Sequence, residues 1–208
     1  MNVIALVVMG GSGLQILAAF PALGPRGAPY GWYPFQGHVP PEWMRLGSWL
    51  AGGRAWHFAF AWLLIVNGLA YLLYLALSGE WRRRLFLPRR DARSAWQTVA
   101  FYLRLRKAAP PQGLYNGLQR ATYTAVLALG ILAVLSGIVI YKPVQFSLLT
   151  TLVGGYDSAR AIHLAVLVAF AAFTPMHIVL VLLHPKTLVE MVSGGHRLPI
   201  APEDRGHE

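Results

Sequence analysis

The sequence predicts an all-α integral membrane protein, a four-helix transmembrane bundle with both termini cytoplasmic. Three observations carry that expectation. Of the 208 residues, 56% are hydrophobic and only 12% charged, about half the charged share of an ordinary soluble domain. Four stretches free of Lys, Arg, Asp and Glu are each long enough to cross about 30 Å of hydrocarbon, which takes about 20 mostly apolar residues. Positive charge is gathered between the second and third of these stretches.

The uncharged stretches are Met1–Pro25, Ala55–Gly79, Ala121–Tyr141 and Ala161–Pro185. Trimmed by Gly, Pro and polar residues, they predict helices over residues 1–20, 56–78, 119–140 and 160–183. The first lacks the basic start of a signal peptide and outruns the usual apolar core of one, so it reads as a helix of the bundle. One transmembrane domain over residues 1–195 and a short polar cytoplasmic tail over 196–208 account for the length. No internal repeat or low-complexity tract stands out.

Orientation follows from Lys and Arg. The segment Glu80–Arg120 carries ten of them, Pro21–Arg54 carries three (Arg26, Arg45 and Arg54), and the connection after the third span carries Lys142. The middle connection is therefore expected in the cytoplasm. The formal charge of +10 becomes a topology signal rather than a nucleic-acid footprint. Within the middle connection, apolar residues recur at helical spacing among arginines between Asp91 and Lys107, the pattern of an amphipathic helix on the inner leaflet. The first outer connection holds Trp32, Tyr33, Phe35, Trp43 and Trp49, which suit a membrane interface or a docking surface for an extracytoplasmic partner.

The chain contains no cysteine. Disulfides, thiolate metal sites, iron–sulfur clusters and c-type haem attachment are excluded. Ionisable side chains at membrane depth are costly and call for a reason. Here they are His57, His163 and His177. The last two are 14 residues apart on one helix, about 21 Å, and point from nearly the same face. That arrangement suits two haems stacked across a bilayer. His57 shares the outer level with His163, so the two imidazoles can clamp one iron from opposite sides. Arg54 and Arg160 each precede these histidines by one turn and are placed to pair with haem propionates. The competing readings are interhelical hydrogen bonding for the histidines and interfacial snorkelling for the arginines. Gly10, Gly11, Gly13, Gly68, Gly130 and Gly137 either leave room for a flat macrocycle or permit close helix packing. Pro175 is expected to kink the last helix.

These residues resemble the di-haem cytochrome b membrane subunits of bacterial respiratory oxidoreductases, and most of all those paired with sulfite-oxidase-type molybdoproteins. The stretches that carry the resemblance are Ser-Gly-Leu-Gln-Ile at 12–16, Gly-Arg-Ala-Trp-His-Phe at 53–58 and Tyr-Asn-Gly-Leu-Gln-Arg at 115–120. With them go Gly-Gly-Tyr-Asp-Ser-Ala-Arg-Ala-Ile-His at 154–163 and the helix around His177 ending at Met191 to Gly194. Together they span residues 10–195.

The resemblance implies haem b with bis-His ligation. The outer haem would take His57 and His163, and the inner one His177 and a histidine from the start of helix 1. Family members carry a His-Trp pair soon followed by Asn there, whereas this chain starts Met1-Asn2-Val3. The expected histidine would fall just before residue 1, so either the start is truncated or misassigned, or the inner haem has a different ligand or is absent. His184 cannot replace it, being seven residues beyond His177 on the same helix. The resemblance also implies an inner quinone site near Tyr115, Asn116, Gly117 and Gln119. Asn116 and Gln119 offer hydrogen-bond donors to a quinone oxygen, with helix-end capping as the alternative.

The function so implied is a subunit passing electrons between a periplasmic, molybdenum-dependent redox partner and quinone in the bacterial inner membrane. A cofactor-free anchor for such a partner is one rival. A hydrogenase or formate dehydrogenase cytochrome subunit is another. A transporter with histidine proton relays would need paired broken helices or an inverted repeat. Neither the sequence chemistry nor any motif points to catalysis of its own.

Overall fold

The computed structural model describes residues 2–108 and 115–183, and all regular structure among them is helical. In chain order the helices are α1 (Asn2–Ala19), α2 (Leu50–Ser78), α3 (Trp81–Arg84), α4 (Pro88–Tyr102), α5 (Gly117–Tyr141), α6 (Ser147–Leu152) and α7 (Tyr156–Leu183), with a 3₁₀ turn at Glu42–Met44. Helices α2, α5 and α7 are long and apolar enough to cross a membrane, and α1 contributes a shorter apolar run, Val3–Ala19. Trp62, Val66, Leu69, Leu73 and Leu77 recur every third or fourth residue of α2 and are all exposed. In water such a stripe would be a large apolar liability, whereas lipid is its natural solvent. The His184 and Met191–Gly194 positions and the expected tail lie outside the described residues.

Two of the expected boundaries move. Helix α2 starts six residues before position 56, and α7 four before position 160. Gly52 and Gly53 look like helix stops in sequence. In the fold they are helical because neighbours lie where a side chain would go. A Cβ on Gly53 would sit 2.9 Å from Gln15 Cγ of α1, and one on Gly52 would overlap the Gly47 carbonyl. The chain reverses into α2 through Gly47 and Ser48, and into α7 through Gly154 and Gly155, all with positive φ. Helix α7 runs on through Pro175.

The chain divides into two compact units, Met1–Leu77 with Leu129–Val168, and Ser78–Ala128 with Ala169–Glu208. In the first, the long connection after α1 is an ordered lobe. The Gln36 amide donates to the Leu23 and Tyr30 carbonyls at 2.8 and 3.0 Å, and its oxygen accepts from the Leu23 N–H at 3.0 Å. Tyr33 is buried, while Trp32, Phe35, Trp43 and Trp49 are exposed. The lobe meets α1 where the Leu46 N–H donates to the Gly11 carbonyl at 3.0 Å.

In the second unit the expected amphipathic segment is α4. It ends at Tyr102, short of Arg104–Lys107. Asp91, 2% exposed, anchors it. The carboxylate accepts from the Leu87 N–H at 2.8 Å, from Arg90 at 2.8 and 2.9 Å, and from Arg120 of α5 at 2.8 Å. Gly117 lets α5 start directly against α4, since a Cβ there would overlap the Asp91 carbonyl and the Ala95 N–H.

Burial alone would raise the Asp91 pKa. The hydrogen bonds from Arg90, Leu87 and Arg120 and the Arg90 charge outweigh it and hold the carboxyl down to about 2. A carboxyl lowered on folding contributes stability that is fully present above its ordinary value near 4 and lost as pH falls through the folded value. Asp91→Asn is expected to cost about 2–3 kcal/mol at neutral pH. It should also flatten the loss of stability between about pH 4 and pH 2. Thermal unfolding of the detergent-solubilised protein across that range checks both.

Candidate functional site

Two imidazoles meet in the first unit. His57 stands seven residues after Leu50, the start of α2, and His163 seven after Tyr156, the start of α7. Equal offsets from two similar chain reversals bring them to one level. Their ring centroids are 6.1 Å apart, with ring planes at 63°.

Each ring is held from behind by a helix that precedes its own. Ser12 Oγ of α1 lies 3.2 Å from His57 Nδ1, and the Met9 carbonyl 3.1 Å from the same nitrogen. Ser136 Oγ of α5 lies 2.9 Å from His163 Nδ1. A carbonyl can only accept, so His57 Nδ1 carries the proton. Ser136 donates its single hydroxyl proton to the Leu132 carbonyl at 2.6 Å. Its oxygen is therefore the acceptor towards His163, whose Nδ1 is likewise protonated. Both Nε2 atoms are left with free lone pairs, and among the described residues neither has a hydrogen-bond partner.

The pair could act as metal ligands through Nε2. Among the described residues no cluster of three or more His, Asp, Glu or Cys exists. A protein-only tetrahedral centre therefore lacks ligands. Two neutral imidazoles would suffice as the protein's ligands to a haem iron. The ring centroids, 6.1 Å apart, leave room for one metal ion bound to both rings at about 2 Å from each nitrogen.

The other expected site residues fall out as follows. Arg160 donates to the Phe20 carbonyl at 2.7 Å and lies 3.9 Å from Asp157, while Arg54 is exposed and rests over the Phe58 ring at 6.0 Å. His177 belongs to the second unit, where it is exposed and its ring stacks on Phe173 at 5.3 Å. In that unit too, Asn116 and Gln119 form a reciprocal capping box at the start of α5. Gln119 N–H donates to Asn116 Oδ1 at 2.8 Å, and Asn116 N–H to Gln119 Oε1 at 3.0 Å. The box uses both side-chain oxygens and leaves both amide NH₂ groups as donors. Tyr115 packs edge-on against Tyr123 at 5.5 Å.

Of the glycines weighed as macrocycle space, Gly10 packs on Leu167, Gly11 on Leu46, Gly13 on His57 and Gly137 on His163, whereas Gly68 and Gly130 face open space. Close packing is thus the reading that holds for four of the six.

Ser12 and Ser136 were not legible as site residues one at a time. The signal was their recurrence. Ser12-Gly13 with Arg54-Ala-Trp-His57, and Ser136-Gly137 with Arg160-Ala-Ile-His163, are the same pair of motifs used twice. The expectation of no internal repeat is corrected to this extent. Six residues are too few to register as a repeat until the fold sets them side by side.

A helical protein built for lipid, with a half-buried pair of facing imidazoles and no third His, Asp, Glu or Cys grouped with them among the described residues, fits the class of membrane b-type cytochromes. Comparison with known proteins agrees, and the chain belongs to the prokaryotic cytochrome b561 family, whose model matches residues 1–194. It is 38% identical over 193 residues to a putative protein-methionine-sulfoxide reductase subunit, YedZ1, of Azospira oryzae, covering 92% of this chain and 89% of that one. No solved structure matches. The chain is thus a multi-pass protein of the inner membrane, and the resemblance read from its sequence is borne out.

Gly52→Ala is expected to destabilise the start of α2, because the atom it meets is backbone. Gly68→Ala, facing open space, should be neutral or stabilise by up to about 1 kcal/mol. Thermal stability of the two variants side by side tests this account of α2.

Proposed function

We propose that this chain is the haem-bearing membrane subunit of a two-part oxidoreductase, passing electrons between an extracytoplasmic redox partner and quinone. The observation that carries the reading is the His57/His163 pair, with both Nδ1 atoms bonded, both Nε2 atoms free and the ring centroids 6.1 Å apart. When bound, haem b supplies reversible one-electron chemistry at its iron. The chain's part would be to hold the haem iron through His57 and His163, keep the group at a fixed depth and exclude water from it.

Four spans with both termini in the cytoplasm fit this role. With α1, α2, α5 and α7 as the spans, the arginine-rich connection between α2 and α5 would face the cytoplasm. Arg89, Arg93 and Trp96, exposed on α4, then lie against the anionic inner leaflet. The exposed Trp32, Phe35, Trp43 and Trp49 of the Pro21–Trp49 lobe offer a surface to the interface and to the partner. Arg160 and Arg54, one turn from the ligands, are the cations available to haem propionates. A second, inner haem would take His177 as one ligand. The spare amide donors of Asn116 and Gln119, beside Tyr115, suit the carbonyl oxygens of a quinone.

The resemblance makes the partner a periplasmic molybdenum protein. The relative's name, a subunit of a putative protein-methionine-sulfoxide reductase, favours electron flow from quinol outward to that partner.

A reduced-minus-oxidised spectrum with haem quantification on the detergent-purified chain tests the reading. Haem b is expected in the wild type and lost on His57→Ala or His163→Ala. If the wild type holds a second haem, His177→Ala should remove it and leave the first. Well-folded protein with no haem, expressed with haem available, would leave only a bare anchor.

A further inference from the structure

We infer that Ser12 and Ser136 are a matched pair of positioning residues that fix the tautomer and the donor strength of the two histidine ligands. Through them they set the reduction potential of the group held between. This rests on the haem reading of the His57/His163 pair.

The two serines occupy equivalent places. Each is wholly buried, at 0% exposure, in the interior of an apolar helix. Each bonds back to the carbonyl four residues earlier at 2.6 Å, Val8 for Ser12 and Leu132 for Ser136. A weaker contact reaches the carbonyl three residues earlier, Met9 at 3.3 Å and Ala133 at 3.2 Å. Those same two carbonyls face the rings of His57 and His163. Back-bonding of this sort is common for serine within helices. What is particular here is that both hydroxyl oxygens, with their one proton committed to a backbone carbonyl, turn a lone pair to an imidazole Nδ1. The residue after each serine is glycine. The ring lies against it, with His57 Cε1 and His163 Cε1 at 3.4 and 3.3 Å from where a Cβ would be. Hydroxyl and missing side chain together make one cradle, built twice.

The chemical consequence has a sign. An N–H at Nδ1 that donates to an oxygen pushes electron density onto the ring and makes Nε2 a stronger ligand. A stronger donor favours the oxidised iron, so the bond lowers the reduction potential. Removing the hydroxyl should raise it. The effect should be larger at Ser136, whose contact is 2.9 Å, than at Ser12, whose contact is 3.2 Å.

The test is a redox titration of the haem-loaded chain in detergent, followed by its absorption and low-temperature magnetic spectra. Ser12→Ala, Ser136→Ala, their double variant and Ser136→Thr are compared with the wild type. Haem content is expected to be kept, and the potential to rise in the order S12A, S136A, double. The axial-ligand signature should shift with it, and S136T, which keeps the hydroxyl, should lie near the wild type. Haem lost in S136A but retained in S136T would also support the assignment. Unchanged potentials and spectra with haem retained would overturn it, as would equal loss of haem in S136A and S136T, which would mean packing alone. A wild-type chain without haem would instead bring down the reading of the histidine pair itself, a result seen before any serine variant is measured.

Discussion

An imidazole N–H placed in hydrocarbon must find an acceptor, and that requirement organises the first unit. Within an apolar helix nearly every carbonyl is already taken by the N–H four residues on. The acceptor has to come from a neighbouring helix and be a hydroxyl or a second lone pair on a carbonyl. α1 supplies it to α2 through Ser12 and Met9, and α5 supplies it to α7 through Ser136. Gly13 and Gly137 let the backbones come close enough. The polar demand of two side chains thus selects which helices pair, and the pairing in turn leaves the other ring nitrogens free.

The connections serve the same end. His57 and His163 share a level because α2 and α7 each begin seven residues ahead of them, directly after a left-handed reversal at Gly47–Ser48 and Gly154–Gly155. The long lobe after α1 is fastened to its own helix at Gly11 and by Gln36 within itself. Arg160 ties the start of α7 to the end of α1 at Phe20. A displacement at either reversal would move an imidazole, so elements with no chemistry of their own set the ligand geometry.

The second unit solves a different problem, that of many arginines beside an apolar helix end. Asp91 and Glu80 answer part of it, Asp91 with Arg90 and Arg120, and Glu80 with Arg84 and Arg83. The Asn116–Gln119 box closes the start of α5 by reciprocal bonds, so capping and ligand donation need not compete. The oxygens make the cap, and the amide groups remain.

The sequence by itself determined the class of protein. Uncharged runs, the arginine cluster and three histidines at membrane depth are consequences of lipid acting as solvent, and they are visible residue by residue. His57 and His163 were legible as partners because helical spacing places them without knowledge of packing. The early starts of α2 and α7 were not, since Gly52 and Gly53 mark a helix end by propensity and become helical only because Gly47 and Gln15 occupy the space beside them. Ser12 and Ser136 were hidden for a related reason. A serine in an apolar helix gives no sign of whether it merely bonds back to its own carbonyl or also receives an imidazole. Only the tertiary structure decided that, by bringing residues 45 and 27 positions apart to within 3.2 and 2.9 Å.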